Sequence, residues 1–200
     1  MNRYVAVEGI DGAGKSTLAR DLVTALRQRG HTVTAVREPG GTPAGEAIRE
    51  IVLGRTSELQ NWTEALLFAA ARAQLAATVV APALERGDIV VTDRSYYSSL
   101  AYQGAGRGLG VDIVRTVNEA GLRGVVPGVI VLLRIDAEGG LAREDERDRI
   151  SVEGVDLQRR VAAAYDALAA AEPERFVVVD ATRPLSEIVA EVVTVLERRW

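Results

Sequence analysis

The segment Gly9-Ile10-Asp11-Gly12-Ala13-Gly14-Lys15-Ser16 constrains this chain more than any other. It matches G-x-x-x-x-G-K-[ST] without a gap, and its flanks fit. Residues 4–7 form a short apolar run that reads as a buried strand. Residues 17–29 carry Leu18, Leu22, Val23 and Leu26 at amphipathic-helix spacing. Strand, glycine loop and helix together predict a phosphate-binding loop. In such a loop the backbone N–H groups from Gly9 to Thr17, with Ile10, Asp11, Gly12, Ala13 and Gly14 between, curl around a phosphate chain, and the helix N-terminus favours negative charge. Lys15 is placed to reach the outer phosphates, and the Ser16 hydroxyl to hold Mg²⁺.

The rest of the chain repeats the same alternation. Apolar runs at 32–36, 89–92, 129–135 and 176–179 predict four more strands. Helical patterns fall near 43–53, 61–86, 96–104, 111–122, 153–171 and 184–198. Gly30 stands where the first helix should stop, Asn61-Trp62-Thr63-Glu64 resembles a capping box, and Pro184 sits near the start of the last helix. The expected fold is α/β: a P-loop NTPase three-layer α/β/α sandwich, with a five-stranded parallel sheet covered by helices on both faces. Two hundred residues without linker, repeat or low-complexity tract read as one domain over 1–200. Arg143-Glu144-Asp145-Glu146-Arg147-Asp148-Arg149 contains no apolar residue; it reads as a solvated loop or as a short arginine-containing lid spanning about 143–150.

Composition removes several classes of chemistry. The chain has no cysteine, which excludes disulfides, thiolate zinc sites and cysteine nucleophiles. A net charge of −4 gives no global drive toward nucleic acid, so an anionic ligand needs locally clustered cations. No apolar run approaches a membrane span, and the N-terminus runs straight into the first strand without room for a signal peptide. The expectation is a cytoplasmic protein without nucleic-acid or membrane partners.

A second site follows the strand at 89–92. Asp93, at its end, would face the Mg²⁺ site, and Arg94 would point to the carboxyl edge of the sheet, where open α/β folds bind ligands. Tyr96, Tyr97 and Tyr102 then cluster within nine residues, either as packing for the following helix or as a nucleoside platform.

At these residues the chain resembles the thymidylate kinase family. The segment Asp93-Arg94-x-x-x-Ser98-x-x-Ala101-Tyr102-Gln103-Gly104 looks like its Asp-Arg motif. Arg37-Glu38-Pro39-Gly40-Gly41-Thr42-Pro43 is similar to its Arg-Glu-Pro-Gly-Gly-Thr segment. The run from Leu66 through Phe68 and Arg72 to Gln74 resembles its Leu-Phe-x-Ala-x-Arg-Ala-Gln helix, and Asp148-Arg149-Ile150 with Glu153 and Tyr165 follows its lid and the helix after it. The pieces occur in order from residue 4 to residue 182.

The resemblance implies a dTMP kinase that uses ATP and Mg²⁺ and works as a homodimer. It implies that Phe68 stacks on thymine, that Arg72 donates to the carbonyl edge, and that Glu38 and Pro39 line the base pocket. By the same resemblance Arg94 holds the acceptor phosphate and Asp11 lies near the sugar 3′-hydroxyl. Ser98, Ser99 and Gln103 belong to the acceptor site, Tyr102 excludes a ribose 2′-hydroxyl, and Glu153 faces the acceptor or its metal-bound water. Phe68 could equally be plain core, Arg72 an exposed helix residue, and the two serines small packing residues. Family members with Ala at position 13 draw their catalytic arginine from the lid, which points to Arg149 first and Arg147 second. Arg143 would lie against the adenine, bordered by Ala181 and Thr182. The chain departs from the family pattern at Ser95, Ala71, Leu75 and Val155 and in its short acidic lid.

The chemistry is consistent with the residues. A phosphate monoester has a second pKa of about 6, so near neutral pH it is already an anionic nucleophile and needs no general base. The only histidine, His31, follows Gly30 in a turn. Positioning and charge neutralisation by Lys15, Arg94, Mg²⁺ and a lid arginine are what the transfer demands.

Overall fold

The computed structural model describes residues 2–54, 58–143, 150 and 154–200. Five strands, β1 (Tyr4–Glu8), β2 (Val33–Arg37), β3 (Ile89–Asp93), β4 (Val129–Arg134) and β5 (Phe176–Asp180), form one parallel sheet in the order β2-β3-β1-β4-β5. Parallel neighbours require crossovers. These contain α1 (Lys15–Gln28), α2 (Pro43–Leu53), α3 (Asn61–Leu75), α4 (Ala81–Glu85), α5 (Tyr96–Ser99), α6 (Val111–Leu122), α7 (Ala137–Ala142) and α8 (Val155–Ala171), and α9 (Leu185–Arg199) closes the fold. All five expected strands are present, and the architecture is the expected α/β sandwich.

Burial explains the pattern. Every residue of the central strand β1 is buried, as a strand covered on both faces requires. Helix α1 buries Leu18, Leu22, Val23 and Leu26 and stops at Gly30, whose φ of 85° suits a helix C-terminus. Helix α9 packs beside α1 and buries Ile188, Val192, Val193 and Leu196. Tyr4 and Val90 form a smaller cluster with Leu75, Val80 and Ala83.

The structure departs from the sequence expectations at four places. The predicted helix at 61–86 is α3 and α4 joined through a π-helical turn, Ala76–Val80, and the one at 96–104 is α5 prolonged by a π-helical stretch, Leu100–Gly106. The capping box is not formed: Gln60 is the N-cap and makes no side-chain bond, while Glu64 turns inward to accept from Gln103 and Arg107. The reading that no apolar run approaches a membrane span also needs correction. The helical run Asn61–Glu85 is long and apolar enough by composition to cross a bilayer, with an 18-residue window of mean hydropathy 1.5; reading only uninterrupted apolar residues overlooks it. The fourth departure is α7, unanticipated because Gly139 and Gly140 are poor helix formers.

Gly140 has a packing reason. Asp136 caps α7 by accepting from Gly139 N–H at 2.6 Å, which sets the helix against the phosphate-binding loop. A Cβ on Gly140 would lie 2.6 Å from the Asp11 carbonyl oxygen, and one on Gly12 would lie 1.8 Å from the Gly140 oxygen. The two backbones touch, so neither can carry a side chain. Gly140→Ala is expected to push the loop out of place at about 1–3 kcal/mol, the usual range for overpacking. Thermal unfolding should fall by roughly 2–4 °C per kcal/mol, and calorimetry should show weaker ATP binding in the same protein.

Candidate active site

Three strand ends converge on one cavity of about 540 Å³. β1 delivers Asp11, Gly12, Lys15 and Ser16 through the glycine loop. β2 delivers Arg37, Glu38 and Pro39, and β3 delivers Asp93 and Arg94. Helix α3 adds Phe68 and Arg72, and α5 with its π-helical extension adds Ser98, Ser99, Tyr102 and Gln103. The wide turn of that extension carries Tyr102 and Gln103 on the cavity wall, a common use of π-helical geometry.

At the phosphate-loop end, Gly14 takes φ 93° and α1 begins at Lys15. The Lys15 ammonium donates to the Ile10 carbonyl at 2.6 Å and lies 3.9 Å from Asp11. Burial, reinforced by Arg94, lowers its pKa to about 8. Ser16 and Thr17 are exposed on the first turn, and Ala13 points into the core. Gly9 lines a neighbouring groove instead of this cavity. Ser16 Oγ donates to Asp93 Oδ2 at 2.5 Å, while Asp93 Oδ1 is buried with no partner among the described residues. A carboxylate oxygen in that state suits a hard cation.

Arg94 stands at the centre. Its Nη2 pairs with Asp11 Oδ1, its Nη1 donates to Ser98 Oγ at 3.3 Å, and its guanidinium lies 5.2 Å over the Tyr102 ring. Burial opposes ionisation of Asp11, yet Arg94 and then Lys15 hold its carboxyl below the ordinary range. Gln158 from α8 locks Asp11 from the other side: its Nε2 donates to Oδ2 at 2.7 Å and its Oε1 accepts from the Asp11 N–H at 3.2 Å.

The far end is built around Arg72, only 3% exposed. Nε donates to Glu38 at 2.5 Å, Nη1 to Ser99 Oγ at 3.0 Å and to Asn118 Oδ1 at 2.5 Å, and Nη2 to the Ser95 carbonyl at 3.2 Å. One Nη2 hydrogen has no partner among the described residues. Burial raises the Glu38 pKa despite Arg72 beside it. Phe68 belongs both to the core and to the cavity wall, so the two sequence readings of it are compatible. The tyrosine cluster divides: Tyr96 and Tyr97 pack inside, with Tyr97 edge-on to Phe176 at 5.2 Å, and Tyr102 alone reaches the cavity.

At the opposite side, Arg143 Nη1 donates to the Ala181 carbonyl at 3.0 Å, which joins the two segments the sequence paired. Arg147, Arg149 and Glu153 lie outside the described residues. Sequence reasoning missed Arg49, Leu53 and Ile150 on the cavity wall and Glu8, Asn118 and Gln158 behind it. Glu8 offered one signal, a carboxylate ending an otherwise apolar strand. Arg49, Leu53, Asn118 and Gln158 sit on helices whose local pattern gives no hint of what they face.

A parallel α/β sheet with a glycine loop, a carboxylate at an adjacent strand end and buried arginines beyond it defines a P-loop phosphotransferase. Comparison with known proteins narrows the class. A family model described as thymidylate kinase matches residues 7–192. The thymidylate kinase of Deinococcus radiodurans is 46% identical over 199 residues, covering 98% of this chain and 97% of that protein. That of Leifsonia xyli subsp. xyli is 48% identical over 193 residues, with 94% and 91% covered. The crystal structure of thymidylate kinase from Ehrlichia chaffeensis superposes with a TM-score of 0.81 at 27% identity over 97% of both chains. The chain belongs to the thymidylate kinase family, whose reaction is the phosphorylation of dTMP to dTDP.

The Lys15 environment yields a test. With its pKa near 8, Lys15 is largely neutral at pH 9 in the free protein, and a phosphate chain beside it restores the charge. Nucleotide binding is therefore expected to take up protons between about pH 8 and 10, the uptake vanishing below that window. Calorimetry in buffers of different ionisation enthalpy measures it; a uniform zero across the window contradicts the assignment.

Proposed function

We propose that this chain transfers the γ-phosphoryl group of ATP to dTMP, giving dTDP and ADP, and that it works as a single-domain cytoplasmic kinase. The observation that carries this reading is the layout of the cavity. Lys15, Ser16 and Asp93 stand at one end, a pocket of Phe68, Arg72 and Ser99 at the other, and Arg94 between them. A nucleoside monophosphate spans that length with its base in the pocket and its phosphate on Arg94, facing the phosphate loop. Family membership supplies the identity of the base.

The residues fit Mg²⁺. Mg²⁺ prefers one or two carboxylates, substrate phosphates and its own waters, and Ser16 Oγ with the unpaired Asp93 Oδ1 offers such a half-site. Bound there, the ion would neutralise charge on the donor phosphates. Lys15 leaves the Ile10 carbonyl for the β- and γ-phosphates, and Arg94 orients the acceptor oxygen toward the γ-phosphorus. No side chain need remove a proton, because the monoester is already an anion. The spare Nη2 hydrogen of Arg72 donates to a thymine carbonyl, and Phe68 stacks on the ring. Asp11 meets the sugar 3′-hydroxyl, Tyr102 fills the space of a 2′-hydroxyl, and Glu38, Pro39, Ser98 and Gln103 complete the wall. Arg143 carries the adenine end; Arg149 and Arg147 are the catalytic candidates from the lid, and Glu153 faces the acceptor.

We also propose a homodimer through α2, α3 and α6. These helices pack side by side and leave Ile51, Trp62, Leu66 and Ile113 exposed, Leu66 by 52% and Ile113 by 57%. Apolar side chains gathered on one face suit a second copy of the same face.

Release of ADP from MgATP is expected to accelerate strongly with dTMP, more weakly with dUMP, and not with dCMP, dGMP, AMP or UMP. Thymine against uracil is a one-methyl difference, about 1–3 kcal/mol. Arg94→Ala should lower kcat/KM for dTMP by on the order of 10³-fold; equal rates with every acceptor would remove the base-pocket assignments. Leu66→Glu should shift the protein from dimer to monomer in analytical ultracentrifugation, and an unchanged sedimentation coefficient would refute the interface.

A further inference from the structure

Glu8 is a buried carboxylate for which the phosphoryl transfer itself has no use. It ends β1 at 0% exposure, on the same face of the strand as Tyr4 and Ala6. Among the described residues no lysine or arginine pairs with it. Four donors converge on it instead. Oε1 accepts from Ser95 N–H and Ser95 Oγ, both at 2.7 Å, and Oε2 accepts from Ser98 Oγ and the Tyr165 hydroxyl, also at 2.7 Å. A carboxylate out of water needs such a shell, but the shell also has a direction: it leads to Arg94.

The Arg94 backbone sits at φ 69°, a left-handed conformation that a residue with a Cβ holds only when its surroundings impose it. Three hydrogen bonds impose it. Arg94 N–H donates to the Val7 carbonyl at 3.0 Å. Thr92 Oγ1 donates to the Arg94 carbonyl at 2.7 Å. The next N–H, that of Ser95, donates to Glu8. The side chain is held as well. A guanidinium only donates, so Ser98 Oγ accepts from Arg94 Nη1 and passes its own proton toward Glu8 Oε2. One carboxylate therefore grips Arg94 at the peptide through Ser95 and at the guanidinium through Ser98.

We propose that Glu8 is the positioning residue for Arg94, orienting the acceptor-phosphate anchor before substrate arrives. The inference rests on the reading of Arg94 as that anchor. A preset arginine loses less freedom when phosphate binds and holds the acceptor oxygen in line.

Glu8→Gln is nearly isosteric. Ser95 N–H can face only the amide oxygen, so the amide NH₂ must face Ser98 and Tyr165. Ser98 then meets two donors, and the charge-assisted pull on Arg94 is lost. The expected result is dTMP binding weakened about tenfold by calorimetry, with KM for ATP within about twofold and thermal unfolding within a few degrees. Ser98→Ala removes the relay together with the cavity-wall hydroxyl; it should act in the same sense, and its comparison with the Arg94→Ala background decides the matter if Glu8→Gln does not fold. Both substitutions are repeated in an Arg94→Ala background, where each should change dTMP affinity by less than about twofold. Equal losses in both backgrounds, or unaltered dTMP affinity in the wild-type background, overturn the inference. If Arg94→Ala alone leaves dTMP binding intact, the anchor reading fails and takes this one with it.

Discussion

Keeping cations buried in one cavity before any phosphate arrives is the constraint on which the rest of this structure depends. Lys15 and Arg72 are buried and Arg94 nearly so, and each has a carboxylate waiting: Asp11 for Lys15 and Arg94, Glu38 for Arg72. A lone buried charge is far costlier than a paired one. The pairs therefore hold the cavity together in the free state. Removing Arg72 by mutation would leave Glu38 buried alone, at about 3–5 kcal/mol, so the fold would suffer along with the cavity.

The sheet order turns this electrostatic problem into a positional one. β1 lies between β3 and β4, and the chain crosses to opposite sides of β1 on either side of the β3–β4 connection. Loops diverge there at the carboxyl ends of the strands. The glycine loop, the segment after β2 and the Asp93-Arg94 turn all open into that gap. Helix α7 closes it from behind through the Gly12–Gly140 contact, and α8 ties it from the side through Gln158. Arg94 and Arg72 are thus held by carboxylates distant in sequence, Asp11 and Glu38, whereas Lys15 is held within its own loop.

What was legible in the sequence was local. The glycine loop, the strand runs, Asp93-Arg94 and the Phe68–Arg72 spacing each announce themselves within a dozen residues, and the structure brings Asp11, Gly12, Lys15, Ser16, Phe68, Arg72, Asp93 and Arg94 to a single cavity. What was illegible depends on partners far along the chain. Glu64 looks like a helix-capping residue until Gln103 and Arg107 are seen to claim it. No helical pattern announces α7, because the reason Gly140 has no side chain is the phosphate loop, about 130 residues away. Asn118 and Gln158 are ordinary polar residues in helical patterns, and only the fold reveals that they face Arg72 and Asp11. The π-helical turns escape periodicity for a related reason: they shift the register within a run whose composition stays helical.

With the base placed against Arg72 as proposed, the hydrogen-bond frame around that side chain has a consequence for selectivity. Glu38, Ser99, Asn118 and the Ser95 carbonyl fix the guanidinium in place, and a guanidinium has nothing with which to accept. A pyrimidine that presents a carbonyl to it is welcomed. One that presented an amino group, as cytosine does at the same ring position, would meet hydrogen against hydrogen. Discrimination would then come from refusal as much as from attraction, because the pocket's own acceptors already hold the rest of the arginine.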